Sequence, residues 1–276
     1  MGRTEGKVAL VTGAARGQGR SHALRLAEEG ADIVAIDAVR DFPSARYPMA
    51  TPADFQETAA LVEKFGRRVI AIEAEVRVAP AMASYAARAV EELGRLDIVI
   101  ANAGIATFSP AATMSQETWT ELIDINLNGV WNTIRPALPL MIEGGRGGSI
   151  VLTSSVAGLK GLANIAHYVA AKHGLVGLMR SLAAELGPHS IRVNTVNPTS
   201  VDTDMIRNLA TMRAFRPDLD AVTEADFAEA SRQQHLLPIP WVEAIDVSNA
   251  ILWLVSDEAR YVTGVALPVD AGALTK

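Results

Sequence analysis

A tyrosine and a lysine four positions apart are the residues of this sequence best suited to move a proton. Tyr168 and Lys172 close the segment 155–172, which reads SVAGLKGLANIAHYVAAK, and Ser155 stands thirteen positions before the tyrosine. On a helix, side chains at i and i+4 share one face. An ammonium near a phenol stabilises the phenolate and so lowers the tyrosine pKa, which is about 10 in the free residue. With the serine hydroxyl on the same oxygen, the three groups could take a proton from an alcohol or return one to a ketone.

The Tyr–Lys spacing also occurs by chance on surface helices, so its meaning depends on the elements around it. Seven short apolar runs alternate with helical patterns along the 276 residues, a pattern typical of a parallel sheet covered on both faces. We expect an α/β protein with a single-domain Rossmann fold over residues 1–276, whose doubly wound parallel sheet has seven strands with helices on both faces. Strands are predicted at residues 7–12, 31–36, 68–74, 96–101, 149–153, 191–196 and 262–269. Helices are predicted at residues 20–29, 52–65, 81–93, 117–138, 163–186, 205–213, 224–234 and 241–255.

A glycine-rich turn follows the first predicted strand. Residues 13–19 read GAARGQG, and after the next helical pattern the second strand ends at Asp37. Such a turn either packs tightly or lets backbone N–H groups approach a pyrophosphate at a helix N-terminus. A carboxylate at Asp37 can accept both ribose hydroxyls and would repel a 2′-phosphate, which favours NAD over NADP. Arg16 argues the other way, because a guanidinium in this turn could meet a 2′-phosphate.

Candidate ligand-binding residues lie at one predicted edge of the sheet. Gly13, Asp37, Val76, Asn102 and Ser155 each fall where a strand ends, and ligands of parallel α/β sheets bind beyond those ends. Residues 1–110 are therefore predicted to be a dinucleotide-binding half, and residues 204–240 a lid insertion over a substrate pocket. Six apolar side chains near that lid could line the pocket or could be ordinary packing: Met205, Leu209, Met212, Phe215, Leu236 and Leu237.

Two further features leave alternatives open. Asn126 lies inside a predicted helix, where asparagine is mildly unfavourable, so it bonds a specific partner, marks a kink or is simply a tolerated polar residue. Residues 38–51 form a long connection with no clear period and two prolines. Long loops in compact domains are usually functional or mobile.

Composition excludes several kinds of site. The chain has no cysteine, so it has no disulfide, thiol nucleophile or zinc–thiolate site. Its five histidines show no metal-ligand spacing, and a net charge of −6 argues against nucleic acid as the main partner. The N-terminal segment lacks the apolar core of a signal peptide, and no apolar run is long enough to span a membrane. We expect a soluble, cytoplasmic protein without a metal.

The ordered set of these motifs resembles the short-chain dehydrogenase/reductase family over essentially the whole chain. The set comprises Thr12-Gly13-xxx-Gly17-x-Gly19, Asn102-Ala103-Gly104, Asn126, Ser155, Tyr168-xxx-Lys172 and Asn197-Pro198. The opening GKVALVTGAARGQGRSHALRLAEEGADIVAID and the segment YPMATPADFQET are similar, within that family, to carveol dehydrogenase-like enzymes of actinobacteria. That group is linked to the redox cofactor mycofactocin.

The resemblance implies a role for each matching residue. Tyr168 would be the general acid/base, Lys172 would lower its pKa and bind the nicotinamide ribose, and Ser155 would polarise the substrate oxygen. Asn126 would hold a water that links Lys172 to solvent. The implied cofactor-binding residues are Gly13, Ala15, Arg16, Gly17, Gln18, Gly19, Asp37, Glu75, Val76, Asn102, Ala103, Gly104, Tyr168, Lys172, Pro198, Thr199, Val201 and Thr203.

Two positions depart from the family pattern. Glu75 stands where the family usually has aspartate, and Thr199 where it usually has the glycine after Asn-Pro. A β-branched residue beside the nicotinamide would restrict the backbone and could tighten cofactor retention.

The resemblance also implies the activity and the assembly. The expected function is the NAD-dependent interconversion of a secondary alcohol and a ketone on an apolar small molecule of the carveol type, by a homotetramer. An epimerase or dehydratase that recycles its NAD internally, and a non-catalytic NAD-responsive binding protein, are the alternatives.

Overall fold

One seven-stranded sheet organises the chain. The structure is a computed structural model and describes residues 2–276. Its strands are β1 Val8–Thr12, β2 Asp32–Asp37, β3 Val69–Glu73, β4 Ile98–Ala101, β5 Gly148–Thr153, β6 Ile191–Pro198 and β7 Ala266–Val269. All neighbouring pairs are parallel and the spatial order is β3-β2-β1-β4-β5-β6-β7. The order reverses direction between β1 and β4, which places the ligand-binding crevice of such sheets at their carboxyl ends.

Ten α-helices cover the sheet within residues 2–276. They are α1 Gly17–Glu28, α2 Pro52–Glu63, α3 Ala79–Leu93, α4 Gln116–Ile123, α5 Gly129–Ile134, α6 Ala137–Gly144, α7 Ala166–Leu186, α8 Leu209–Phe215, α9 Glu224–Arg232 and α10 Ala244–Val255. Alternate side chains of a strand point to opposite faces, so each face of the sheet has its own apolar core. Leu10 packs into a core with residues of α3, α5 and α7, whereas Ala9 packs into the core formed with α1, α2 and α10. The predicted doubly wound sheet of seven strands, with helices on both faces, is confirmed.

The single helix predicted at residues 117–138 is wrong, because the structure divides this segment into several helical elements. The segment is α4, a π-helical turn Asp124–Asn128, and then α5. Asn126 lies inside that turn, where its amide Nδ2 donates to the Ile105 carbonyl at 2.8 Å and its Oδ1 accepts from the Ile105 N–H at 2.9 Å. The alternative that Asn126 bonds a specific partner therefore holds, and the residue lies in a π-helical turn that the sequence did not predict.

Other boundaries shift by a few residues. Helix α1 begins at Gly17 rather than residue 20, so the last glycines of the GAARGQG turn are helical. Helix α8 begins at Leu209 rather than residue 205, and α10 begins at Ala244 rather than residue 241. The last strand begins at Ala266 rather than residue 262. The dinucleotide-binding half at residues 1–110 and the lid at residues 204–240 stay predictions. Residue 1 lies outside the described range.

No helix of residues 2–276 is both long and apolar enough to cross a membrane.

Candidate active site

A cavity of about 270 Å³ opens at the carboxyl edge of the sheet. Its walls come from the glycine turn, from the ends of β2, β4, β5 and β6, and from the segment after β6. Every residue of the predicted catalytic and cofactor-binding sets lines this cavity, except Ala15 and Asn126. Gly13 and Pro198 are 185 positions apart in sequence, and both line this cavity because parallel strands end at one edge of the sheet.

The glycine turn approaches the neighbouring backbone too closely for side chains. Gly13 has a φ of +68°, and a Cβ on Gly19 would lie 1.9 Å from the Gly13 carbonyl oxygen. The first turn of α1 follows directly, so its free N–H groups face the same space. Gln18 adds a buried Oε1 that has no hydrogen-bond partner within residues 2–276. A cradle of this kind fits the phosphates of a dinucleotide.

Asp37 holds this turn from the end of β2. Its Oδ2 accepts from the Ala15 N–H at 2.9 Å and its Oδ1 accepts from the Val39 N–H at 3.0 Å. Ala15 therefore acts beneath the cavity wall, as a donor to Asp37, rather than on the surface of the cavity. The carboxylate still lines the cavity, where its remaining lone pairs can accept ribose hydroxyls.

Arg16 contacts two segments that line the cavity, the loop of residues 38–51 and the segment after β6. Its guanidinium pairs with the Asp204 carboxylate at 2.9 Å and donates a hydrogen bond to the Pro48 carbonyl. Its charge is thus matched within the protein, which removes the sequence argument that Arg16 favours a 2′-phosphate.

The adenine side of the predicted site is built around two arginines. Glu75 pairs with Arg77 and, at 3.2 Å, with Arg40. Both guanidinium groups lie over the Phe42 ring, at 5.3 Å for Arg40 and 5.2 Å for Arg77. The carboxylate of Glu75 is engaged by these cations, whereas the buried Val76 and Phe42 offer apolar surface to a planar ring.

The proposed acid/base pair lies at the other end of the cavity. Lys172 is buried, its Nζ lies 5.4 Å from the centre of the Tyr168 ring, and it donates to the Thr153 carbonyl at 2.7 Å. Burial lowers the pKa of Lys172 to about 8. Burial also raises the pKa of Tyr168, and the Ser155 hydroxyl beside the phenol offsets part of that rise. The pKa of Tyr168 is thus raised in the protein without bound ligands, and the expectation that Lys172 and NAD⁺ together lower this pKa stays a prediction.

Ser155 links the pair to the end of β6. Its hydroxyl donates to the Pro198 carbonyl across a long 3.4 Å contact, and its backbone carbonyl accepts from Asn197 Nδ2 at 2.9 Å. A hydrogen bond of that length is weak, so the hydroxyl is free to turn towards a ligand oxygen. No carboxylate, cysteine or histidine cluster of metal-binding size occurs in the described part of the chain.

Sequence reasoning missed the contribution of residues 38–51. Phe42, Tyr47 and Met49 from this loop line the cavity. Tyr47 is almost fully buried, its hydroxyl accepts from the Ala106 N–H at 3.3 Å, and burial raises its pKa to about 12. The two prolines and the loop length were the only sequence signals that the segment had a fixed role.

The apolar residues of the predicted lid divide into two groups. Met205 and Phe215 line the cavity, together with Phe108, Leu162 and Ile165, which sequence reasoning did not single out. Leu209, Leu236 and Leu237 are more than half exposed. Met212 is absent from the cavity wall. The end of the cavity near Tyr168 is thus mainly apolar around a few polar groups.

Comparison with known proteins agrees with this geometry. A family model described as enoyl-(acyl carrier protein) reductase matches residues 13–274. The chain is 57% identical to (-)-trans-carveol dehydrogenase of Rhodococcus erythropolis, with 100% of both chains covered. The chain belongs to the short-chain dehydrogenase/reductase family. Within this family, the crystal structure of carveol dehydrogenase from Mycobacterium avium in complex with NAD has a TM-score of 0.98 and 55% identity, with both chains fully covered. A short-chain dehydrogenase from Mycobacterium paratuberculosis bound to NAD has a TM-score of 0.92 and 42% identity, again over both full chains.

Proposed function

We propose that this protein is an NAD-dependent dehydrogenase that interconverts a secondary alcohol and the matching ketone. The observation that carries the proposal is the shared cavity: Ser155, Tyr168 and Lys172 line the same space as the glycine turn and Asp37. The mainly apolar wall around Tyr168 fits a small apolar substrate. The likeness to carveol dehydrogenases supports a terpenoid alcohol of the carveol type as that substrate.

The protein's part in the reaction is to orient the substrate and move one proton. When bound, NAD supplies the hydride acceptor. Ser155 holds the substrate oxygen, and Tyr168 removes its proton during alcohol oxidation or returns one during ketone reduction. Lys172 provides a positive charge one helical turn from the phenol and binds ribose hydroxyls.

We assign Asn126 a supporting part in proton exchange. Ile105 engages one N–H and one oxygen lone pair of its buried side-chain amide, which holds that group in place. A π-helical turn redirects backbone carbonyls, and we place the water that connects Lys172 to solvent on a carbonyl of the turn Asp124–Asn128.

The function is tested by following absorbance in the NADH band with a panel of cyclic secondary alcohols, carveol included. We expect net NADH formation, faster with apolar alcohols than with sugars or short polar alcohols. An epimerase or dehydratase would convert its substrate without net NADH. A binding protein would give no absorbance change with any alcohol or ketone, and either result would remove the dehydrogenase proposal.

Asp37 is expected to set the preference for NAD over NADP. Replacing Asp37 with Ser removes a charged acceptor for the ribose hydroxyls and the repulsion of a 2′-phosphate. The ratio of kcat/KM for NAD to that for NADP should fall about 10- to 100-fold. Glu91→Gln, which removes an exposed carboxylate on α3, should leave the ratio unchanged. An unchanged ratio in Asp37→Ser would contradict the assignment.

We also propose that NAD is held tightly. Arg16 ties the glycine turn to Pro48 in the loop of residues 38–51 and to Asp204 in the predicted lid, and these contacts would hold both segments against a bound dinucleotide. The purified protein should keep its nicotinamide through dialysis, and Arg16→Ala should lose it at least about tenfold faster, as expected for loss of a charged pair and its hydrogen bonds. Mass spectrometry of the dialysed protein gives the bound fraction. Retention is wrong if dialysis empties the wild-type protein and added NAD restores full activity.

A homotetramer is the assembly we propose. Helix α7 presents small residues such as Ala170 and Gly177 at its surface, and Trp119, Trp131 and Tyr261 are exposed. Large apolar side chains at a surface favour association. Size-exclusion chromatography with light scattering should give four times the 29.3 kDa chain mass. The cytoplasmic location and the lid role of residues 204–240 stay predictions.

A further inference from the structure

Thr199, one of the two departures from the family pattern, has a specific partner. Its Oγ1 lies 2.7 Å from Nε2 of His235, at the end of the lid segment. The backbone φ of Thr199 is outside the left-handed region, so this position does not require glycine. The threonine side chain is therefore available for a contact that a glycine could not make.

The surroundings of His235 determine how this hydrogen bond runs. The other ring nitrogen, Nδ1, lies 2.8 Å from the Ile239 carbonyl, which can only accept, so Nδ1 carries the proton. In the neutral ring Nε2 then accepts from the Thr199 hydroxyl. His235 is 3% exposed, so water cannot easily replace either partner.

The backbone of His235 is fixed as well. Its N–H donates to the Arg232 carbonyl at 3.0 Å, and its carbonyl accepts from Lys276 Nζ at 2.8 Å. The next residue, Leu236, donates its N–H to the Ala271 carbonyl at 3.0 Å. His235 thus lies between the end of α9 and the stretch that leads to α10, and hydrogen bonds join this stretch to the C-terminal segment.

Thr199 connects this junction to the proposed catalytic edge. The preceding residue, Pro198, offers the carbonyl that accepts the Ser155 hydroxyl, and Asn197 donates to the Ser155 carbonyl. The path from His235 to the serine therefore runs through Thr199 and along the backbone to Asn197. A shift of Thr199 would move Pro198 and Asn197, and Asn197 holds the Ser155 backbone through its 2.9 Å hydrogen bond to the Ser155 carbonyl.

We propose that His235 is a positioning residue, which fixes Thr199 and thereby makes the end of the lid and the Ser155 edge one rigid unit. The inference rests on the proposed dehydrogenase function, and it adds a residue that touches neither substrate nor cofactor. It also gives the threonine at position 199 a role that follows from its hydroxyl rather than from its β-branch.

The first experiment compares Thr199→Val, which keeps the shape and removes the hydroxyl, with Thr199→Ser, which keeps the hydroxyl. We expect kcat to fall about tenfold in Thr199→Val and less than about twofold in Thr199→Ser, with KM for the alcohol changing little in both. His235→Phe should match Thr199→Val, and the double variant should be no worse than either single variant. Melting temperatures separate a loss of positioning from a loss of folding.

The second experiment does not depend on turnover. In protein labelled with ¹⁵N-histidine, the His235 ring, assigned by its absence in His235→Phe, should show a protonated Nδ1 and an unprotonated Nε2. The Nε2 signal should move in Thr199→Val and stay in Thr199→Ser. The inference is overturned if the His235 ring carries its proton on Nε2, or if the Nε2 signal does not move in Thr199→Val.

The outcomes of the two experiments separate the proposals. Wild-type protein that oxidises no alcohol overturns the dehydrogenase function, and this inference with it. Active wild-type protein with normal kcat in Thr199→Val, or with additive losses in the double variant, overturns the inference alone.

Discussion

Replacing Tyr168 with Phe is expected to reduce alcohol oxidation by about 1,000-fold or more. The substitution removes only the phenol oxygen, the group that lies beside Ser155 in the cavity and would carry the transferred proton. The ring remains, so NAD should bind nearly as in the wild-type protein. Steady-state rates in the NADH band and a fluorescence titration with NAD measure the two effects separately.

Tyr85→Phe is the matched control, because Tyr85 packs on α3 and lies outside the cavity wall. It should leave both rate and affinity unchanged. Normal turnover by Tyr168→Phe would end the proposed mechanism, since Tyr168 is the phenol that hydrogen-bonds Ser155. Loss of NAD binding together with turnover would instead point to a collapsed site.

The raised pKa of Tyr168 bears on when the phenol can accept a proton. Burial raises this pKa when no ligand is bound, so the phenol is protonated at neutral pH in the resting protein. NAD⁺ would bring a further positive charge into the cavity, and a nearby cation stabilises the phenolate and lowers this pKa. The proton donor needed for ketone reduction, by contrast, is present from the start.

The sheet and its binding edge could be predicted because they depend on local patterns. Continuous apolar runs specify buried parallel strands, and parallel strands must end at a common edge. Gly13, Asp37, Asn102 and Ser155 lie at the ends of four different strands, and all four line one cavity. The spacing of Tyr168 and Lys172 needed only the period of a helix.

What could not be predicted depends on contacts between distant segments. The pairing of Arg16 with Asp204 spans 188 positions, and no periodicity indicates it. The contact of Thr199 with His235 is likewise set by how residues 204–240 fold back against the end of β6. Spacing placed Lys172 near Tyr168 correctly, but the sign of the phenol pKa shift required knowing how deeply both groups are buried.

Lys172→Met is expected to abolish activity and yet stabilise the unliganded protein. The buried ammonium has no carboxylate within salt-bridge range among the described residues, and burial lowers its pKa from 10.5 to about 8. Below pH 8 the folded protein must hold this charge away from water, a cost that the unfolded chain does not share. After allowing for the lost hydrogen bond to the Thr153 carbonyl, the free energy of unfolding at pH 7 should rise by about 1–2 kcal/mol.

The sign of the pH dependence makes this prediction specific. Between pH 8 and about 10.4 the unfolded chain keeps its lysine proton while the folded protein has lost it, so the stability of the wild-type protein rises with pH in this window. The advantage of Lys172→Met should therefore be largest at pH 7 and nearly gone at pH 10. Lys64→Met, at an exposed lysine, should show no such trend in urea unfolding. Equal or lower stability of Lys172→Met at pH 7 would contradict the prediction. It would mean that water solvates the Lys172 ammonium in the protein without bound ligands.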